Sequence, residues 1–214
     1  MKKTSFPIQV DPSHYVHDYD SAERFLSYYA QIDAAQRTQP KTILEIGIGN
    51  KTVCNYLRTL GYAVTTCDFD ARLKPDKVGD IRTLPFKDNQ FDTVLACEIL
   101  EHIPFSDVVQ ALKELQRVTK HAVVVSIPYS CAFVENVLAI SIPFLHKQFR
   151  FAFRIPYFLF KIIFGGKNKE HYWEMGRRYY SKRRIRRLLR HYFTIEREFQ
   201  PLLNSRHYFF VLRK

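Results

Sequence analysis

Apolar and polar positions alternate along the chain in blocks of two kinds. From Asp20 to Arg37, Phe25, Leu26, Tyr29 and Ile32 are set in a polar run, which predicts a helix leading into the core. Lys41–Ile46 reads as a strand, broken by Gly47-Ile48-Gly49-Asn50, and Val53, Tyr56, Leu57 and Leu60 then recur at helical spacing up to Gly61. Ala63–Cys67 and Phe91–Cys97 are further strands, and Asp107–Thr119 is a helix with Val108, Leu112, Leu115 and Val118 turned inward. Ala122–Ile127 is an almost unbroken apolar run, as a parallel strand covered on both faces requires. A basic helix over Ser181–Arg190 and two strand-like runs, Tyr192–Phe199 and His207–Leu212, close the chain. Strands alternating with helices predict a doubly wound α/β fold.

Residues 128–176 break this rhythm. The stretch is too long for an ordinary connection and too aromatic for a solvated one, so it reads as an insertion in a single domain spanning 1–214. Seven phenylalanines fall between Phe144 and Phe164, at 144, 149, 151, 153, 158, 160 and 164. Lys147, Arg154 and Lys161 recur every seven residues, with Arg150 on the same helical face. This pattern predicts an interfacial amphipathic helix resting on a membrane, kinked into two at Pro156 and ended by Gly165-Gly166. The apolar runs are too short and too interrupted by charge to span a bilayer. A lid whose phenylalanines pack over an apolar acceptor pocket fits the same pattern.

Composition narrows the class. With 214 residues, 46% hydrophobic and 25% charged, disorder, collagen and a disulfide scaffold are excluded. Cys54, Cys67, Cys97 and Cys131 form no CxxC pair and read as thiols in a reducing compartment. The first residues, MKKTSFPIQV, hold no long apolar run, so no signal peptide is expected and the location is read as cytoplasmic, at the inner face of a membrane if the insertion rests there. The net charge of +12 is unevenly placed. Residues 1–140 carry 15 Lys/Arg against 17 Asp/Glu, and residues 141–214 carry 18 against 4. Such an excess points to a phosphate-bearing substrate, a membrane surface or nucleic acid, or else to a solvated face.

The turn after the first strand carries the candidate chemistry. Gly47 and Gly49 let the backbone approach a ligand, the helix start behind them favours negative charge, and Asp68 ends the next strand where a carboxylate suits ribose hydroxyls. Thr52 stands where a dinucleotide fingerprint needs Gly or Ala, and no Walker motif is present.

Four blocks in register, ILEIGIGN (43–50), CDFD (67–70), GDIRTLPFKDNQFDTVLACEILEHIP (79–104) and SIPY (126–129), resemble the class I S-adenosylmethionine-dependent methyltransferases. The likeness is to the type 11 group, which includes ubiquinone-biosynthesis enzymes. It implies a Rossmann-like sheet of seven strands, mostly parallel, with an antiparallel last strand that His207–Leu212 supplies. It implies S-adenosylmethionine as cofactor, with Glu45, Gly47 and Gly49 on the methionine and ribose side, Asp68 on the ribose hydroxyls, and Phe69 beside it. Asp80 with Ile81 would hold the adenine, and Cys97-Glu98 would line the point where the methyl emerges. Lys51 departs from the pattern, standing where the family often has a third glycine.

Glu98-Ile99-Leu100-Glu101-His102 looks like the E-x-x-E-H segment of metal-dependent relatives, some ubiquinone-pathway O-methyltransferases and the small-RNA 3′-terminal 2′-O-methyltransferases. On a helix, Glu98, Glu101 and His102 share a face and suit a divalent ion, which by that likeness His171 would complete. Glu98 and His102 are the catalytic candidates, and His102 before Ile103-Pro104 also reads as a plain helix end. His171, Trp173, Phe149 and Phe153 are the acceptor or lid candidates. The leading expectation is methyl transfer to a hydrophobic or phosphate-bearing acceptor, a small molecule or lipid at a membrane. The alternatives are RNA methyl transfer through the basic last third and a cofactor-binding protein without catalysis.

Overall fold

A computed structural model describes residues 11–15, 19–155, 171–204 and 206–214. Helix α1 (Ala22–Arg37) starts where the Ser21 side chain accepts from the Arg24 N–H, and α2 (Thr52–Thr59) follows strand β1 (Thr42–Ile46) directly. Strands β2 (Ala63–Asp68), β3 (Lys77–Val78), β4 (Phe91–Cys97), helix α3 (Val108–Val118) and β5 (Thr119–Pro128) complete the first half. After β6 (Ala132–Ile142) and β7 (Leu145–Ile155) come α4 (Lys182–Tyr192), β8 (Thr194–Phe199) and β9 (His207–Arg213).

Seven strands form one sheet in the order β3-β2-β1-β4-β5-β9-β8. The β1, β2, β3, β4 and β5 pairings are parallel, and β9 runs antiparallel between β5 and β8. This is the doubly wound sheet that the sequence predicts, with the antiparallel last strand that the resemblance implies. The β5 run explains its burial: Val123, Val125 and Ile127 join the cluster with Leu112, Leu115, Ile185 and Leu189, while Val124 joins Ala34, Val53, Leu57 and Phe209 on the opposite face. Helices thus cover both faces, and the carboxyl ends of β1, β2, β4 and β5 are left to form a site at one edge.

The insertion differs from expectation. Over 132–155 the chain forms an antiparallel hairpin, with Leu138 opposite Phe149 and Asn136 opposite Phe151, where the sequence reading placed an amphipathic helix. The physical reason is that Val134, Leu138, Ile140, Ile142, Phe149, Phe151 and Phe153 are spaced by multiples of two within their strands. They are also β-branched or aromatic types that fit a pleated surface, Leu138 apart. Lys147 accordingly falls on the strand position opposite in parity to Arg150 and Arg154, so the cationic stripe is not formed there. Pro156, Phe158, Phe160, Lys161, Phe164 and Gly165-Gly166 lie outside the described residues. Among the described residues no helix is long and apolar enough to cross a membrane.

Candidate functional site

The glycine loop is held open by its own geometry. Gly47 and Gly49 both take positive φ, +77° and +46°, and Lys51 takes +66°. Lys51 therefore adopts the left-handed backbone of the glycine it replaces, at a cost of about 1–2 kcal/mol, and the loop keeps its shape. The Ile48 N–H donates to Asp68 Oδ2 at 2.9 Å, and the Asp70 N–H donates to Asp68 Oδ1 at 2.9 Å. Asp68 is buried, and burial pushes its carboxyl up despite these backbone donors. It closes the loop onto the end of β2, and its remaining lone pairs are what a ribose diol would meet. Phe69, next to it, is half exposed and presents a ring at the strand end.

Glu45 sits beneath the loop. It is 5% exposed, and one of its carboxylate oxygens has no hydrogen-bond partner. Burial pushes the carboxyl up to about 8. Since its ordinary value is 4.5, Glu45 contributes stability that is fully present below pH 4.5 and is lost as pH rises through about 8. The cofactor-free protein will therefore lose stability between pH 5 and 8, by up to about 1.4 kcal/mol per pH unit from this residue. Denaturation of Glu45→Gln against pH checks this, because the variant removes that slope; an identical slope would contradict the assignment.

Asp80 and Ile81 flank the far side. Ile81 is buried, while Asp80 is clasped by Arg82 through both carboxylate oxygens, and Arg82 reaches on to Asp107 at 2.9 Å. Burial pushes Asp80 up, but Arg82 more than offsets this and holds it below its ordinary value.

A cavity of about 60 Å³ opens at the carboxyl edge, lined by Tyr19, Arg24, Ser27, Glu45, Gly47, Cys97, Glu98 and His207 among others. Burial and the Glu98 carboxylate push the Cys97 thiol far up, so it is a neutral wall of this cavity. Glu98 has φ +55°, with its carboxylate accepting from Ser126 Oγ at 2.7 Å and lying 3.4 Å from His207 Nε2. His207 Nδ1 is 2.8 Å from Ser27 Oγ. Burial, with the nearby Arg24 and Arg206 charges, pushes His207 down to about 3, so it is neutral. Burial also pushes Glu98 up. Arg24 donates to the Tyr19 hydroxyl at 2.8 Å and stacks 3.8 Å from its ring centroid. A more open cleft of about 610 Å³, bounded by Gln36, Arg37, Glu196 and Arg213, lies near the amino end of β1, away from this chemistry.

The E-x-x-E-H segment is not a helix. Residue 98 follows the end of β4 at Cys97 and only Leu100–His102 forms a 3-10 turn, so Glu98 turns to Ser126 and His207 while Glu101 and His102 face elsewhere. The predicted four-residue convergence therefore divides. Glu101, His102 and His171 bring one ligand atom each within 4.8 Å of one another, without Glu98. Glu101 is fully buried with neither carboxylate oxygen hydrogen-bonded, and burial with the Glu98 charge pushes it well up. Behind it, His171 Nδ1 lies 2.9 Å from Glu174, which also meets Ser130 and, at 2.8 Å, Arg177. Burial opposes ionisation of Glu174, but these three partners hold it below its ordinary value.

Trp173 does not line an open acceptor pocket. It is 2% exposed, and its indole N–H reaches the carbonyls of Leu100 and Ile103 at 3.1 and 3.2 Å. It anchors 171–175 under the 3-10 turn, aided by the Tyr172 N–H on the Glu101 carbonyl. Phe149 and Phe153 belong to the β7 strand of the hairpin. The sequence reading missed Ser27, Tyr19, Arg24, Glu174 and His207. Glu174, two residues before Gly176 and three after His171, was the one with a local signal, its i,i+3 spacing from a candidate ligand.

Comparison with known proteins supports the cofactor half. Residues 44–127 match the methyltransferase domain family. No curated protein sequence matches the chain. Among solved structures, the fold is similar to that of N-methyltransferase NodS from Bradyrhizobium japonicum WM9 in complex with S-adenosylhomocysteine (TM-score 0.63, 10% identity, 94% of this chain and 95% of that one). Magnesium protoporphyrin IX methyltransferase from Synechocystis PCC 6803, with bound S-adenosylhomocysteine, gives 0.60 at 15% identity over 90% and 83%. The 1,6-didemethyltoxoflavin-N1-methyltransferase of Burkholderia thailandensis gives 0.58 at 15% identity over 99% and 93%. At these identities the structures speak for the fold, and the sequence match speaks for the site built on it. Together, the matched segment and the fold support a class I S-adenosylmethionine-dependent methyltransferase.

Proposed function

We propose that the chain methylates a hydrophobic or phosphate-bearing small molecule or lipid at the carboxyl edge of the sheet, beside Glu98 and His207. The observation that carries the cofactor half of this reading is the unpaired, buried Glu45 oxygen at the cavity under Gly47 and Gly49. A cation-bearing ligand such as an aminoacyl sulfonium satisfies that oxygen, and Asp68, Phe69, Asp80 and Ile81 are the side chains available to its nucleoside end. The cofactor supplies an electrophilic methyl when bound. What remains for the chain is to align the acceptor with that methyl, exclude water, and take a proton if the acceptor atom carries one. Glu98, oriented by Ser126 and His207, takes that proton in its ionised form, which its raised pKa makes a stronger base and confines to the alkaline side. His102, the other catalytic candidate, stands with Glu101 and His171 and is better suited to bind than to deprotonate.

The Glu101–His102–His171 cluster fits a divalent ion, because a fully buried carboxylate whose oxygens accept no hydrogen bond stands beside two imidazoles. Those three residues would hold the ion, with Glu174 behind His171 to orient the ring, and the ion would supply charge to polarise an acceptor oxygen. Titration of chelator-treated protein with Mn²⁺ or Zn²⁺ is expected to give one site, weakened at least tenfold in Glu101→Gln. The same variant should stabilise the metal-free protein by removing an unpaired buried acid. Absence of any saturable site would overturn the cluster as a metal centre.

A second reading, metal-assisted 2′-O-methylation of RNA, is favoured by the exposed Arg183, Arg184, Arg187 and Arg190 on α4 together with that cluster. Methyl-labelled S-adenosylmethionine with cell extract separates the two. Label is expected in the organic phase; label in a nuclease-sensitive aqueous fraction would select RNA instead.

A further inference from the structure

The β6–β7 hairpin is a two-stranded ribbon of 11 residues a side, about 35 Å long, and such ribbons are marginal in water without a covering layer. One face carries Val134, Leu138, Ile140, Ile142, Phe149 and Phe151, each between 41% and 57% exposed. The register joins them into one patch, with Leu138 opposite Phe149 and Ile140 opposite Lys147. The turn is Pro143-Phe144. Phe144 is fully exposed at φ +75°, the turn position that ordinarily takes Gly or Asn. Among the described residues nothing packs on this large apolar ring at its strained, solvated tip. Contiguous apolar surface of this kind marks an interaction site.

Charge selects the occupant. Lys147 shares the register positions of the apolar face, Arg150 and Arg154 take the opposite parity with Glu135, and α4 adds six basic residues and no acid. A second copy of this chain would bring a further +12 against the same sign. Nucleic acid would find cations and the rings of Phe144, Phe149 and Phe151, but stacking makes no use of the aliphatic Val134, Leu138, Ile140 and Ile142 that form the rest of the patch. An anionic lipid surface meets both properties at once. Among the described residues both outer edges of the ribbon are unpaired, which forbids burial in hydrocarbon and restricts it to the headgroup boundary. We propose that the apolar face of the β6–β7 hairpin, led by Phe144, docks the chain on the surface of an anionic bilayer. The inference rests on, and deepens, the reading of the acceptor as lipid-like. The hairpin leaves β5 just past Pro128, at the edge where the Glu98 cavity opens, so docking brings that edge to the lipid.

Flotation of the full chain with phosphatidylcholine vesicles, with and without phosphatidylserine, tests this against Phe144→Ser/Phe149→Ser/Phe151→Ser, which leaves charge unchanged. S-adenosylhomocysteine affinity, measured on both proteins, reports folding and the methyltransferase reading separately. The expected result is binding to the phosphatidylserine vesicles, weakened at least tenfold in the triple variant with cofactor affinity retained. Equal binding by the triple variant would mean that charge alone holds the chain, and would overturn the hairpin as the docking element. Failure of the unaltered chain to bind either vesicle, or its self-association through this face without lipid, would overturn the proposal outright.

Discussion

Gly47→Ala will abolish cofactor binding and cost about 2–4 kcal/mol of folding stability. Two independent effects add. At φ +77° an L side chain is strained by about 1–2 kcal/mol. A Cβ there would also overlap the Ile99 Cδ1 methyl, and relieving such overpacking typically costs about 1–3 kcal/mol. The clashing methyl is the far end of the partly buried Ile99 side chain, so a rotamer change relieves part of the overlap and the packing cost falls at the low end of that range. Adding Ile99→Ala removes the clash and leaves the backbone strain, so the double variant should recover about half of the lost stability. Urea denaturation and S-adenosylhomocysteine titration of all three proteins check this. A Gly47→Ala protein as stable as the parent would contradict the close approach of Ile99.

The second large effect is expected at Asp68. Alanine there strands the Ile48 and Asp70 N–H groups, both now at 2.9 Å from its carboxylate, in a buried position. Leaving a buried donor unmet costs about 1–3 kcal/mol, and the first of these donors is in the glycine loop itself. Asp68→Ala should therefore weaken S-adenosylhomocysteine at least tenfold, both by losing the ribose partner and by loosening the loop. Asp68→Asn keeps one acceptor oxygen and should fall between. Calorimetric titration at a temperature where each variant remains folded measures it, and an unchanged affinity in Asp68→Ala would remove Asp68 from the cofactor site.

The residues that fix the sheet were legible because their burial leaves a local trace. Ala122–Ile127 reads as a doubly covered strand from its apolar run alone, and Asp68 as a strand-end acid from its distance to Gly49. The insertion was misread because Lys147, Arg154 and Lys161 suggested a seven-residue repeat, while the alternation of Phe149, Phe151 and Phe153 carried the true period of two. Glu98 was grouped with Glu101 and His102 for a related reason: i,i+3,i+4 logic presumes a helix, and Glu98, itself left-handed just after β4, turns away from Glu101. His207 was invisible as a site residue because it is brought to Ser27 and Glu98 only by β9 pairing antiparallel to β5, a contact across 180 residues of chain. Trp173 looked like a lid residue from its neighbours, yet its indole N–H is taken by Leu100 and Ile103 from a distant turn.

The central claim is that the pocket under Gly47 holds S-adenosylmethionine through Glu45. Titrating S-adenosylhomocysteine into the purified chain near pH 7, in buffers of differing ionisation enthalpy, tests it most directly. Glu45 is protonated there in the free protein and must ionise to face the ligand ammonium. The account predicts one saturable site with release of a proton, whose buffer dependence disappears in Glu45→Gln. Absence of saturable binding, or binding with the same proton release in Glu45→Gln, would contradict it.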